Sequence, residues 1–242
     1  MRALAHAHAI KKEKKTMSEK KEQKEFEKIR TAVGVTKYCW LNEPRLKFQS
    51  KTETEYQCTL ILPPDAKARL TQVDGAAQEV DLFPYLDRVA DEAFNSGKAA
   101  ALESCKTPKA KKEFVHTRSV CYDEEVNDDS EPTGNYELRA KRASTRKNKK
   151  GEAEPVKLDF FDAAGTKLTN PPTVFSGSEV KLSLLVNPFE NVAGKSGVGV
   201  RILAVQIIKL KSGGSRSASD YGFDGEEGYT APAGAAAGEE EF

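Results

Sequence analysis

Hydrophobic and polar positions along this chain change rhythm several times, and each change marks an element. Thr31 to Leu41, TAVGVTKYCWL, is rich in β-branched and aromatic residues and predicts a first strand. Pro44 is expected to end it, with Lys47-Phe48 resuming a short pairing. Tyr56 to Leu62, YQCTLIL, predicts a second strand, stopped by Pro63-Pro64. Between Asp81 and Leu102 the period lengthens. Leu82, Tyr85, Leu86, Val89, Ala93 and Phe94 fall at helical spacing, and Pro84 is tolerable in a first turn. Thr107 to Gly134 is irregular and includes an acidic loop, Asp123 to Glu131.

Alternation then returns. Tyr136 to Ser144 predicts a third strand, with Tyr136, Leu138 and Ala140 on one face and Arg139 and Lys141 on the other. A basic loop to Gly151 leads to Val156 to Asp162, VKLDFFD, where the adjacent Phe160 and Phe161 must point to opposite faces. Val180 to Val186 and Val198 to Leu210 are the last strands. The second alternates from Val198 through Ile208 and is apolar on both faces in its second half, as for a strand central to a barrel. Five or six strands with one helix between the second and third predict a mainly β protein, a small closed barrel of the OB type. That fold commonly binds oligonucleotides on one face. An open α+β sandwich fits the same strings less well.

Composition adds the ends. Residues 1–28 read as a polar, Lys-rich arm, 29–211 as the barrel domain, and 212–242 as a tail. The tail is Gly, Ala and Ser with seven acids against one base, Arg216, a composition that predicts disorder. Yet it carries aromatics and ends in Glu239, Glu240, Glu241 and Phe242, which a purely solubilising tail has no use for. Met17, followed by Ser-Glu-Lys-Lys, is an alternative start, with residues 1–16 then an upstream extension.

Overall charge is balanced, Lys+Arg 38 against Asp+Glu 37, but the signs are segregated. Tyr136 to Lys150 holds seven bases and one acid, Glu137, while the acidic excess sits in the tail. A basic body with an acidic tether lets the tail compete for the body's own binding site. The basic stretch points to phosphate contact, with a solvated loop as the plainer alternative. Tyr38 and Trp40, at i and i+2, are expected to share a strand face with Lys37 and Arg45 near them, a platform for stacked bases unless the rings are core. Lys195, in Gly194-Lys-Ser-Gly-Val-Gly, stands in a turn between strands and is available to a phosphate backbone.

Other chemistry has no signature here. Cys39, Cys58, Cys105 and Cys121 lack close pairing and read as free thiols in a reducing compartment, and no metal site or cofactor is expected. GxxxxGK[ST], GxSxG and HExxH are all missing, so no enzyme is expected. No apolar run is long enough to span a membrane as a helix, and the cytoplasm is the expected location.

The residues resemble the single-stranded-DNA-binding replication proteins of short-tailed, podovirus-type bacteriophages. Thr31 to Gly34 with Tyr38 to Leu41 and Pro44 is similar to that family's first strand, and Tyr56 to Pro63 to its second. Val156 to Asp162 with Gly165 to Leu168, and Gly177 to Leu210 with Asn187-Pro-Phe189 and Val192 to Val200, resemble its last strands. The acidic tail ending in Phe242 completes the likeness. The resemblance implies an OB-fold homodimer that binds single-stranded DNA without sequence preference in phage replication and recombination, in the cytoplasm of the infected host. It implies a tail, with Asp224, Glu226, Glu227, Glu239 to Glu241 and Phe242, that docks on the replicative polymerase and helicase-primase. The family's basic third strand maps onto Leu138 to Lys141, and Arg142-Ala143 stands where the family carries a tyrosine. The resulting DNA-binding set is Lys37, Tyr38, Trp40, Arg45, Lys47, Arg139, Lys141, Arg142, Arg146, Lys147, Phe189, Lys195 and Arg201. An OB-fold RNA binder, a DNA-processing accessory enzyme and a structural virion protein remain alternatives on the residues alone.

Overall fold

In the computed structural model the described residues are 26–211, apart from 73–74, 106, 108, 110–113, 149 and 193. They belong to the first of two units, Met1–Lys211. The second, Ser212–Phe242, lies outside them, as does the arm before residue 26, so the expectations for both fall outside the described residues. In chain order the elements are β1 (Lys28–Thr31), β2 (Gly34–Leu46), β3 (Thr54–Leu62), β4 (Lys67–Thr71), β5 (Ala77–Asp81), α1 (Leu82–Ser104), β6 (Thr117–Ser119) and β7 (Tyr122–Val126). They continue with β8 (Pro132–Ala143), β9 (Thr145–Lys147), β10 (Ala153–Pro155), β11 (Asp159–Phe161), β12 (Lys167–Leu168), β13 (Glu179–Val192) and β14 (Lys195–Lys209).

Five long strands return on themselves. β2 pairs with β3, β3 with β8, β8 with β14, β14 with β13, and β13 with β2. Every contact in this ring is antiparallel except β8 with β14, which is parallel. This is the closed barrel of the OB type, with α1 entering between its second and third strands. β1, β4 and β5 extend the sheet beyond β13, β11 and β12 extend it beyond β14, and β9 with β10 forms a separate hairpin.

Strict alternation fills the interior. Tyr56, Cys58, Leu60 and Leu62 of β3, Leu138 and Ala140 of β8, and Val180, Leu182, Leu184 and Val186 of β13 are all buried. Each large side chain so buried contributes about 1.5–3 kcal/mol. The alternation expected along the last strand is broken. Val198, Val200 and Ile202 point inward, and then the phase flips to Val205 and Ile207. The cause is a register shift: Ser183 faces Ala204 while Leu184 faces Ile202, leaving Leu203 as the extra residue of a bulge. Helix α1 buries Leu82, Tyr85, Leu86, Val89 and Ala93 as its spacing predicts, and packs on β13 and β14.

Other boundaries also differ from expectation. Pro44 does not end the first strand, because it sits in the irregular stretch between Trp40 and Arg45, where the ladder needs no amide from it. The first part of the acidic loop, Asp123 to Val126, is strand. Only residues 127–131 turn, with Asn127 Oδ1 accepting the amides of Asp129 and Glu131. The basic loop is a hairpin, turned by Asn148 Oδ1 accepting the amides of Lys150 and Glu152. Val156 to Asp162 shortens to β11, which runs parallel to β14.

Candidate nucleic-acid interface

The register of the barrel strands places the predicted bases in rows. Lys37 faces Thr59, which faces Arg139. Trp40 faces Gln57, Gln57 faces Lys141, and Lys141 faces Arg201 across the parallel contact. Arg45 faces Glu55, which faces Ala143. Directly opposed residues share a face, and the alternate residues Cys58, Leu60, Leu138 and Ala140 fill the core, so these rows lie outside the barrel. Three strands far apart in sequence, β2, β8 and β14, with β3 between β2 and β8, therefore bring Lys37, Trp40, Arg45, Arg139, Lys141 and Arg201 onto one surface.

Tyr38 and Trp40 do not share that face as expected. Between Lys37 and Trp40 the register slips by one residue, and Tyr38 takes the left-handed conformation, φ 50°. Lys37 and Trp40 are the pair that lie side by side, while Tyr38 stands out of the bulge at 56% exposure. Trp40 is half-buried, and the Arg45 guanidinium lies 4.6 Å from its ring centroid. Cys39 packs inward against the core, toward Cys58.

The bases differ in how free they are. Lys37 is 2.7 Å from Glu137, whose hydrogen bond raises the lysine's pKa. Arg139 pairs with Asp123, Lys141 lies 3.4 Å from Glu55, Lys47 2.8 Å from Glu53, and Arg146 3.3 Å from Glu154. Such surface pairs are weak and can be exchanged for a phosphate. Arg142 is different. Its guanidinium donates to the carbonyls of Ile202 (2.9 Å) and Leu203 (3.3 Å), and burial, with Arg201 and Arg146 close by, lowers its pKa. The main cause is the loss of water around the charge, and the neighbouring cations add to it.

Arg142 stands in a cleft of about 520 Å³ whose walls also include Lys141, Arg146, Arg201 and Asn187. Four cations converge there, and Arg142 and Arg201 form no ion pair among the described residues. A second cleft, about 280 Å³, adjoins it between the β2–β3 turn and the β9–β10 hairpin. Lys47, Arg146 and Lys147 line it. Phe48, next to Lys47 in that turn, is 76% exposed and stands outside the set predicted from sequence. Its signal was there, an aromatic between Lys47 and Lys51 in a hairpin tip.

Two predicted residues stand apart from this surface. Lys195 and Phe189 lie at the far end of the β13–β14 hairpin, Phe189 opposite Gly197. Neither lines the cleft: Lys195 is six positions along the strand from Arg201, about 20 Å, and Phe189 is two positions beyond Asn187. Among the described residues no three His, Cys, Asp or Glu side chains gather where they could hold a metal ion, and all four cysteines are free.

A closed five-stranded barrel carrying a cation-lined outer cleft, with rings at its margin, defines a nucleic-acid-binding OB-type protein. Residues 33–210 match the family described as single-stranded DNA-binding protein, bacteriophage T7, and the chain belongs to that family. The crystal structure of gp2.5, a single-stranded DNA binding protein encoded by bacteriophage T7, has the same fold: TM-score 0.51 at 20% identity, covering 85% of this chain and 100% of that one. The single-stranded DNA-binding protein from bacteriophage Enc34 in complex with ssDNA is also similar, at TM-score 0.44 and 16% identity over 76% of this chain and 88% of that one. No curated protein sequence matches the chain. The resemblance carried by Thr31 to Leu41, Asn187-Pro-Phe189 and the last strands thus identified the right family.

Proposed function

We propose that this protein binds single-stranded DNA without sequence preference on the outer face of β2, β3, β8 and β14. The observation that carries the reading is the convergence of Lys141, Arg142, Arg146 and Arg201 on one cleft, with Arg142 half-buried against strand carbonyls and in no ion pair among the described residues. Phosphates take the place of the missing anion, and each one bound releases condensed counterions. Lys37, Lys47, Arg139 and Lys147 extend the charge around the cleft. Trp40 under Arg45, Tyr38 and Phe48 offer ring faces to bases, a sequence-tolerant contact because every base has a π-face.

The family suggests a biological setting. We place the protein in phage DNA replication and recombination in the host cytoplasm, acting as a homodimer by binding rather than catalysis. The tail, with Asp224, Glu226, Glu227, Glu239 to Glu241 and Phe242, recruits the replicative polymerase and helicase-primase and competes with DNA for the basic cleft.

The test is a titration of labelled oligo-dT, the same oligonucleotide as RNA, and a duplex, each at two salt concentrations. Oligo-dT is expected to bind tightest, with affinity falling as salt rises. Equal binding of the duplex, or tighter binding of RNA, overturns the assignment.

A further inference from the structure

Beyond the cleft, β14 borders a second basic surface that the proposed function leaves unused. In β1, Ile29 and Thr31 point inward, so Lys28 and Arg30 point out. In β4, Ala68 and Leu70 point inward and Arg69 points out. Arg30 lies directly opposite Arg69 on one side and Ser183 on the other. Like charges directly opposed in a sheet are destabilising, and Glu79 stands across from Arg69 on its other side. Lys28, Arg30, Arg69 and Lys181 form no ion pair among the described residues.

These bases border a groove with a ring in it. Arg30, Phe161, Lys181, Ser183 and Gln206 line a cleft of about 410 Å³. Of the two adjacent phenylalanines, Phe160 is buried in the core, and Phe161 is the half-buried one that lines this cleft. Gln206 holds the loop after Phe161 by donating to the carbonyls of Asp162 and Ala163. A cationic groove with a semi-exposed aromatic wall is the pairing that single-stranded nucleic acid uses.

The two clefts are consecutive along one strand. Leu203 lines the first and Ala204 the second, so the bulge at Leu203 is their common border. The sheet register links them a second way. Arg201 faces Leu185, which faces Lys28, two strand spacings or about 10 Å across. The acid at this border is Asp159, opposite Ala204, and Lys167 holds it at 2.7 Å.

We propose that single-stranded DNA leaving the first cleft passes Leu203 onto this second surface, where Lys28, Arg30, Arg69 and Lys181 take its phosphates and Phe161 stacks a base. The inference rests on the reading of the first cleft as the DNA site and extends the strand's path from the β2–β3–β8 face to the β13–β1–β4 face.

Oligonucleotide length separates the two sites. Oligo-dT of about 5 and of about 16 nucleotides, near the ends of the range for one OB fold, are titrated against the full chain and its variants by fluorescence anisotropy. Arg30→Gln combined with Lys181→Gln is expected to leave the short oligomer's affinity within about twofold. The long oligomer should weaken about tenfold at 200 mM salt and more at lower salt, with its salt slope reduced by about 1.4 for two lost phosphate contacts. Arg201→Ala, in the first cleft, should weaken both lengths. A second measurement needs no variant: the longer oligomer carrying iododeoxyuridine should photo-crosslink to the peptide containing Phe161, and the shorter one should not. Unchanged long-oligomer affinity and slope in the double variant, with Arg201→Ala still weakening both lengths, overturns the second surface alone. Absence of any crosslink to that peptide overturns it too. If the unaltered protein binds neither length, both readings fall together.

Discussion

Replacing Arg201 by alanine isolates the central claim about the cleft. Arg201 is exposed, faces Lys141 across the parallel contact, and forms no ion pair among the described residues, so its charge is free to meet a phosphate. Losing one phosphate contact should lower the slope of log K against log salt by about 0.7 for a single strand. Referred to 1 M salt, that slope change weakens binding about eightfold at 50 mM and about threefold at 200 mM. Adding Lys141→Gln, which keeps a polar neighbour for the buried Glu55, should deepen both effects, by less than a second full contact because Lys141 lies 3.4 Å from Glu55. The fold should not suffer. Arg201 is one of the charges that press on Arg142, so the melting temperature should hold or rise. By contrast Arg139→Ala, which must give up its surface pair with Asp123 to meet a phosphate, should lower the slope by less than Arg201→Ala does. The assay is anisotropy of labelled oligo-dT across a salt series, with melting curves for each variant. An unchanged slope in folded Arg201→Ala would refute the placement of phosphates in this cleft.

Three further outcomes are expected. Trp40, the single tryptophan of the chain, should lose fluorescence on binding oligo-dT, and Trp40→Ala should cost about 1–3 kcal/mol of affinity. A lower melting temperature with unchanged affinity would instead make the ring structural. Gly197→Ala should destabilise the domain by several kcal/mol, because a Cβ there would sit 1.8 Å from the Ser119 carbonyl oxygen and break the pairing of β6 with β14, and thermal melting reads the effect directly. Deleting residues 212–242 should tighten oligo-dT binding, most at low salt. Phe242→Ala should leave DNA affinity unchanged while abolishing capture of the polymerase and helicase-primase, and wild-type capture would refute the role of the terminal ring.

Local pattern was enough for the skeleton. Alternation in Tyr56 to Leu62 and in Tyr136 to Ser144, and the helical spacing from Leu82 to Val89, arise from neighbours a few residues apart, so their faces are visible in one dimension. The split of β8 into buried Leu138 and Ala140 and outward Arg139 and Lys141 came out as the spacing predicts. Short strands such as β4 and β5 were not legible, because five residues carry too little pattern and owe their state to the strand beside them.

The residues of the cleft were all visible as bases, but their grouping was not. Arg201 stands far along the chain from Lys141, and only closure of the barrel sets them opposite one another. Two bulges did the rest. The slip after Lys37 put Lys37 beside Trp40 and sent Tyr38 out. The extra residue at Leu203 reversed the faces of β14 and opened a cleft on each side of the border. A bulge inserts one residue without a compositional mark when that residue is not glycine, and it appears only once a partner strand counts against it. The amino-acid order therefore specified the strands, the helix and the supply of charge. Pairing across the barrel chose which charges stand together, because register is a property of two strands and not of one.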